Sequence, residues 1–173
     1  GVDGTGLPET WDEKTNVAWK TSVPGLGWSS PVVWGDRIFF TSVVSDGEVE
    51  PPKKGLYFGG DRPDPPKANH HWLVLCYDFN HGTLLWKTEL KSGAPGSSVH
   101  LKNSFASETV ATDGERLYVY FGYQGLYCLD LDGTTLWHLT WEPYKTRLGW
   151  GTSSSPVLHE DRVYIVNDNM DDK

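Results

Sequence analysis

The sequence predicts an all-β protein of short antiparallel strands, on three observations. The 173 residues include 19 Gly and 11 Pro, which separate short apolar runs along the chain. Such punctuation is typical of strands joined by turns. Nine Trp are present, while strong helix formers are scarce. The third observation is an internal repeat of about 45–50 residues, the period of a small repeated sheet.

The first repeated element is a strand, an Asp-containing turn and a second strand that closes on Trp. It occurs at residues 75–86 and returns at 127–137, where the turn is one residue shorter. The closing residues Trp86 and Trp137 are 51 residues apart.

The second repeated element is a hairpin. A short strand leads into a tight turn with Asp or Gly, and a strand rich in β-branched and aromatic residues follows. Copies occupy residues 29–40 and 154–165, with a looser copy at 106–119. Ser107 and Ser155, in the last two copies, are 48 residues apart.

Together the two elements give a four-stranded unit with the period of a β-propeller blade. We label the strands A to D from the centre outward. In chain order we expect strands near 30–34, 37–43, 72–78 and 83–90, then 105–112, 116–121, 125–130 and 134–140, then 153–159 and 162–167. The prediction is a partial β-propeller of four-stranded antiparallel blades.

The unit divides the chain into a lead and about two and a half blades. Residues 16–21 resemble the D strand at 84–88, so an N-terminal closing strand is expected for the last blade of the ring. The segments are the lead 1–15, the partial propeller 16–173, the closing strand 16–23, blade 1 at 28–90 with an inserted loop 45–71, blade 2 at 103–141 and an incomplete blade 3 at 151–173. Missing sequence is expected to supply the remaining blades of a ring of about 7 or 8.

The first repeated element resembles the repeats of PQQ-like (quinoprotein dehydrogenase-like) β-propellers, whose pattern is Ala-x-Asp-x-x-Thr-Gly-x-x-x-Trp. The pattern falls on Cys76, Asp78, Gly82 and Trp86, with Cys in place of Ala and His81 in place of Thr. It falls again, with one residue deleted, on Cys128, Asp130, Gly133 and Trp137. The opening is similar to secreted planctomycete-type PQQ-like repeat proteins, through residues 4–6, 16–20 and 27–33.

The residues of this motif predict structural roles. The Asp side chains can accept hydrogen bonds from backbone N–H groups of the following turn. The Gly residues can supply a positive φ there. We expect Trp19, Trp86 and Trp137 to cover the gaps between neighbouring blades.

The candidate ligand site is the mouth of the central channel, where the D–A and B–C loops of a propeller meet. The D–A loops cover residues 25–30, 92–104 and 145–154. Cations, hydroxyls, an amide and aromatic rings converge there and suit a small polar, anionic or sugar-like ligand or a protein partner. The candidates are Trp28, Ser29, His100, Lys102, Asn103, Ser104, Arg147, Trp150 and Ser153. Alternatively, the hydroxyls satisfy backbone groups at the strand starts and the charges are solvated.

The inserted loop 45–71 is a B–C loop and is expected on the same face, where it can act as a lid. His70 and His71 are adjacent in an entering strand and should point to opposite faces, which disfavours a chelating pair. The tail 167–172 has carboxylates that could bind Ca²⁺, but it lacks the Gly and the distant Glu of an EF-hand loop, so an ordinary acidic loop is expected. No metal is therefore expected.

Composition narrows the function further. The net charge of −8 argues against nucleic acid binding, and no apolar run is long enough to span a membrane. Cys76 and Cys128 occupy equivalent repeat positions, too far apart for a disulfide, so two buried free thiols are expected. A signal peptide removed before Gly1 would place the protein in the periplasm or outside the cell.

These observations favour a non-catalytic binding or scaffold module of a secreted or periplasmic protein, with no cofactor. No nucleophile–base constellation or phosphate loop is visible. The alternative implied by the resemblance is an N-terminal fragment of a quinoprotein alcohol or sugar dehydrogenase, in which PQQ and calcium sit over the channel. The adjacent Cys-Cys pair of many such enzymes is absent here.

Overall fold

The computed structural model describes residues 6, 8–51, 54–62 and 64–170, and these form an all-β protein. The predicted lead, inserted loop and last half blade each include residues outside this description. The strands are β1 (Val32–Trp34), β2 (Arg37–Ser45), β3 (His70–Asp78), β4 (Leu84–Gly93), β5 (Ala111–Thr112), β6 (Arg116–Tyr120), β7 (Leu126–Asp130), β8 (Thr135–Leu139), β9 (Val157–His159) and β10 (Arg162–Tyr164).

The strands form two four-stranded antiparallel sheets and one hairpin, in agreement with the predicted fold class. The sheet orders are β1-β2-β3-β4 and β5-β6-β7-β8, and β9 pairs with β10. Cys76 lies opposite Trp86, and Cys128 lies opposite Trp137. The two copies of the repeat therefore have the same register, with a β-bulge after each Cys.

The innermost strands are shorter than predicted, because their leading residues bond to the neighbouring blade. Strand β5 has two residues, although 105–112 was the expected range. Ahead of it, the carbonyl of Ala106 accepts hydrogen bonds from the backbone N–H groups of Trp28 and Ser29, at 2.9 and 3.2 Å. A backbone group used across blades is unavailable to the ladder within its own sheet.

Equivalent hydroxyls link the three blades at these strand starts. The backbone N–H of Ser30 donates to Oγ1 of Thr109 at 3.0 Å. The backbone N–H of Thr109 in turn donates to Oγ of Ser155 at 2.9 Å. Blades 2 and 3 thus each use a Ser or Thr hydroxyl to satisfy a backbone donor of the blade before them.

The repeat Trp also bonds across the gap between blades. The indole of Trp86 donates through Nε1 to the carbonyl of Leu131 at 3.0 Å. The ring lies over Gly133, where an added Cβ would come within 2.7 Å of it. Gly133 has φ +87°, so the turn needs glycine both for its backbone and for this close approach.

Trp19 has the same relation to blade 1. Its Nε1 donates to the carbonyl of Phe79 at 2.9 Å, and its ring covers Gly82. Residues 16–23 form no strand within the described structure. Their role as a closing strand depends on blades outside these 173 residues and stays a prediction.

The hydrophobic core lies between blades 1 and 2. It is a continuous cluster that includes Phe39, Trp72 and Val74 of blade 1 and Leu117 and Leu129 of blade 2. Both cysteines are buried and free, as expected. Desolvation raises the pKa of the Cys76 thiol to about 11, so it stays protonated at neutral pH.

Candidate functional site

The segment between β2 and β3 lies against the D–A loops, as expected from propeller topology. We call its described residues, 46–51, 54–62 and 64–69, the lid. Trp150 donates through Nε1 to the carbonyl of Gly60 at 2.9 Å. The N–H of Arg62 donates to the carbonyl of Leu148 at 3.0 Å, and the hydroxyl of Ser98 donates to the carbonyl of Arg62. Backbone and side-chain bonds therefore fix the lid to two D–A loops.

His100 is the central support of the lid. Its Nδ1 accepts a hydrogen bond from the N–H of Lys102 at 3.0 Å, so Nε2 carries the proton and faces the carbonyl of Phe58 at 3.3 Å. The ring stacks on Tyr57 with centroids 5.7 Å apart and meets Trp150 edge-on at 4.8 Å. Both ring nitrogens are used within the protein, which makes His100 a positioning residue.

Lys102 is also committed to the lid. Its ammonium donates to the carbonyl of Gly55 at 2.6 Å and lies 5.0 Å from the centre of the Tyr57 ring. A cation that is already hydrogen-bonded and placed over an aromatic face attracts a further ligand less strongly. The sequence suggested that Lys102 contacts a ligand, and in the structure its ammonium contacts the lid.

The channel-mouth candidates, His100 included, divide into three groups by the depression that they line. Trp28, His100, Asn103 and Ser104 line one cavity, and Arg147, Trp150 and Ser153 line a second depression of about 450 Å³. Ser29 lines neither, and its hydroxyl accepts a hydrogen bond from the N–H of Thr41 in its own blade at 3.1 Å. The Asn103 amide donates to the carbonyl of Thr152 at 2.7 Å. Several of these polar groups therefore organise loops.

The first cavity, which we call the lid cavity, has a volume of about 320 Å³ and lies between the lid, β2 and the second D–A loop. Its walls are largely apolar, and charged groups come from the lid. The apolar lining includes Leu26, Trp28, Val43, Val49, Val99, Leu101 and Phe105, and the charged lining Glu48, Glu50, Arg62 and Lys67. Volume and lining fit the usual description of a ligand pocket. The sequence analysis expected the insertion to act as a lid because of its length, but selected none of its residues for the site.

The base of the lid is held by His71. Its Nδ1 lies 3.1 Å from Glu89 and its Nε2 lies 3.2 Å from Asp46. The hydrogen bond to Glu89, assisted by Asp46, raises the pKa of His71 above its ordinary value. His70, in contrast, is buried and packs on Trp72 and Phe105. The two histidines point to opposite faces of β3, as predicted.

Glu108 is a buried carboxyl that the sequence analysis did not select. It is 3% exposed and accepts a hydrogen bond from the hydroxyl of Thr152 at 2.9 Å. Desolvation raises its pKa from 4.5 to about 8, despite hydrogen bonds to the carboxylate that lower it. The strand register aligns Glu108 with Ser29 and Ser154 of the other blades. Glu108 has a carboxyl group where the other two copies have a hydroxyl, and this difference could have identified it from the sequence.

Two further features concern metals and membranes. Among the described residues, no group of three or more His, Cys, Asp or Glu side chains is arranged to hold a metal ion. No helix in this part of the chain has the length and apolar character needed to cross a bilayer.

The fold defines a class of protein, a β-propeller built from PQQ-like repeats. A family model described as outer membrane protein assembly factor BamB matches residues 70–170, which is more than half of the chain. The chain therefore belongs to this PQQ-like repeat family. No curated protein matches it. The likeness to planctomycete-type secreted proteins stays a prediction.

Proposed function

We propose that the chain is a non-catalytic binding module of a periplasmic or secreted protein, and that it recognises a protein partner at the face covered by the lid. The observation that carries this proposal is the lid cavity, enclosed by an insertion that is bonded to two D–A loops. Binding residues are often found on loops held by a rigid scaffold. The description of the family model, an assembly factor for outer membrane proteins, supports a partner that is itself a protein.

The chemistry of the cavity supports binding over catalysis. His100, a side chain suited to proton transfer, has both nitrogens occupied by the lid and its neighbouring loop. Arg62 lies 3.1 Å from Glu50, so part of the charge on the lid is internally paired. Apart from Glu48, Lys67 and His70, the rest of the lining is largely apolar, with exposed hydrophobic groups at its border, Val49 at 48% and Trp28 at 46% exposure. Buried aromatic and aliphatic anchors dominate protein interfaces, and a recess of this kind receives them.

Site-specific photo-crosslinking in the complete natural protein tests the proposal. A photoreactive phenylalanine at Val49 is expected to form a discrete adduct with one protein, identified by the cross-linked peptide. Val33 is the matched control, since it is also 48% exposed but lies on β1, outside the lid cavity. An adduct from position 49 that is absent from position 33 supports the proposal. No protein adduct from position 49, or the same adducts from both, contradicts it.

A further inference from the structure

His70 presents an unused hydrogen-bond acceptor at the lid cavity. The residue is 6% exposed and lies among the cavity-lining residues. Its Nδ1 lies 3.0 Å from the carbonyl of Ala68, an acceptor only, so Nδ1 carries the proton. Nε2 is then left with its lone pair, and no described residue donates to it. An acceptor in a cavity wall that no protein group satisfies is available to a ligand or to water.

The ring orientation is fixed, which makes this acceptor directional. The imidazole meets the edge of Phe105 at 5.2 Å and lies 5.9 Å from Trp72, both measured between ring centroids. The hydrogen bond of Nδ1 to the backbone and the contacts with two aromatic rings together hold the imidazole in this orientation. A ligand in the cavity therefore meets a preorganised acceptor.

We infer that the lid cavity receives an aromatic side chain with a hydrogen-bond donor, the indole of tryptophan or the phenol of tyrosine, from the partner protein, and that Nε2 of His70 accepts that bond. This inference rests on the proposed function. The volume of about 320 Å³ accommodates one such ring. Val43, Val99 and Phe105 supply apolar contact, and the acceptor selects a ring that carries N–H or O–H.

The charges around the cavity are of both signs and come from the lid. Glu48 and Glu50 belong to the lining, and Glu50 already pairs with Arg62. Lys67 also belongs to the lining, whereas Lys102 lies outside it and is engaged by the carbonyl of Gly55 and the Tyr57 ring. The charged lining is thus balanced, two carboxylates against Arg62 and Lys67, and a neutral donor-bearing ring meets the apolar walls and the His70 acceptor without opposing either charge.

The test uses indole and benzofuran, two rings of nearly the same shape that differ in the N–H donor. Their dissociation constants for the complete natural protein are measured by ligand-observed NMR titration. Indole is expected to bind about three- to tenfold more tightly, as one net hydrogen bond implies. His70→Phe keeps an aromatic ring but removes the acceptor, and is expected to abolish the difference. His138→Phe is the matched control, because exposed His138 stacks on Tyr127 outside the cavity.

The outcomes separate the inference from the proposed function. Equal binding of indole and benzofuran to the unmodified protein, with both lost in Val49→Trp, overturns the role of His70 but leaves a binding cavity. Binding of neither ring overturns the cavity as a recognition site and with it the inference. The comparison on the unmodified protein is decisive even when the His70 variant does not fold.

Discussion

Replacing Trp86 with alanine is expected to lower the free energy of unfolding of the 173-residue chain by about 3–5 kcal/mol. The ring packs against the hydrophobic core and covers Gly133 of the next blade, and its centroid lies 6.0 Å from that of the Phe39 ring. Its loss also removes the hydrogen bond from Nε1 to the carbonyl of Leu131. The variant therefore leaves a cavity at the interface of two blades, where the carbonyl of Leu131 keeps only its hydrogen bond from Arg37. Urea unfolding measures the change.

Trp137 provides the matched control for this prediction. It has the equivalent position in the next repeat but is 42% exposed. Trp86 packs on Gly133 of the following blade, whereas no glycine of the described residues packs on Trp137 in this way. Trp137→Ala is expected to cost about 1 kcal/mol in the same chain, because little buried area is lost. Similar losses for the two variants would show that packing across the blade interface is not what stabilises the repeat.

A second large effect is expected from Glu108. Its pKa is raised to about 8 in the folded protein, against an ordinary value of 4.5. Between these pH values the unfolded chain has released the proton and the folded chain keeps it, so rising pH favours unfolding. The free energy of unfolding is expected to fall by up to roughly 5 kcal/mol from pH 4.5 to 8, at about 1.4 kcal/mol per pH unit.

Glu108→Gln is expected to remove this part of the pH dependence. The amide keeps the shape and an oxygen that can accept from Thr152, but it does not ionise in this range. Glu115→Gln, at an exposed position, is the control and should leave the slope unchanged. Thermal or urea unfolding at several pH values measures both variants. If the free energy of unfolding of Glu108→Gln kept the same pH dependence, the carboxyl of Glu108 would not be buried in its neutral form.

The sheet strands could be predicted from the sequence because their signals are local. Alternating apolar residues and turn residues define β2 and β6, which begin at Arg37 and Arg116 as predicted. Strands β1 and β5 were predicted too long, since their leading backbone groups bond across blades. Such bonds depend on how the blades stack, and no period in the sequence indicates them.

Topology placed the candidate site at the correct loops, whereas the ligand role of its individual residues stays a prediction. The D–A and B–C loops do meet at one face, and the insertion does lie over them. Residue type alone suggested a ligand role for His100 and Lys102, yet their polar atoms are used to hold the lid. His70 was considered only as a metal ligand, although its burial and fixed orientation give it a different possible use. These distinctions depend on partners far apart in the chain.

We propose that this propeller module binds a partner and carries no quinone cofactor, and mass spectrometry of the complete natural protein determines whether a quinone is bound. The protein is purified without added cofactor, denatured, and its released small molecules are quantified together with the chain mass. We expect no stoichiometric PQQ, as the proposal requires. One PQQ per chain would contradict it, and would make the residues of the channel mouth, including His100, Lys102 and Arg147, candidates for holding the cofactor of a dehydrogenase.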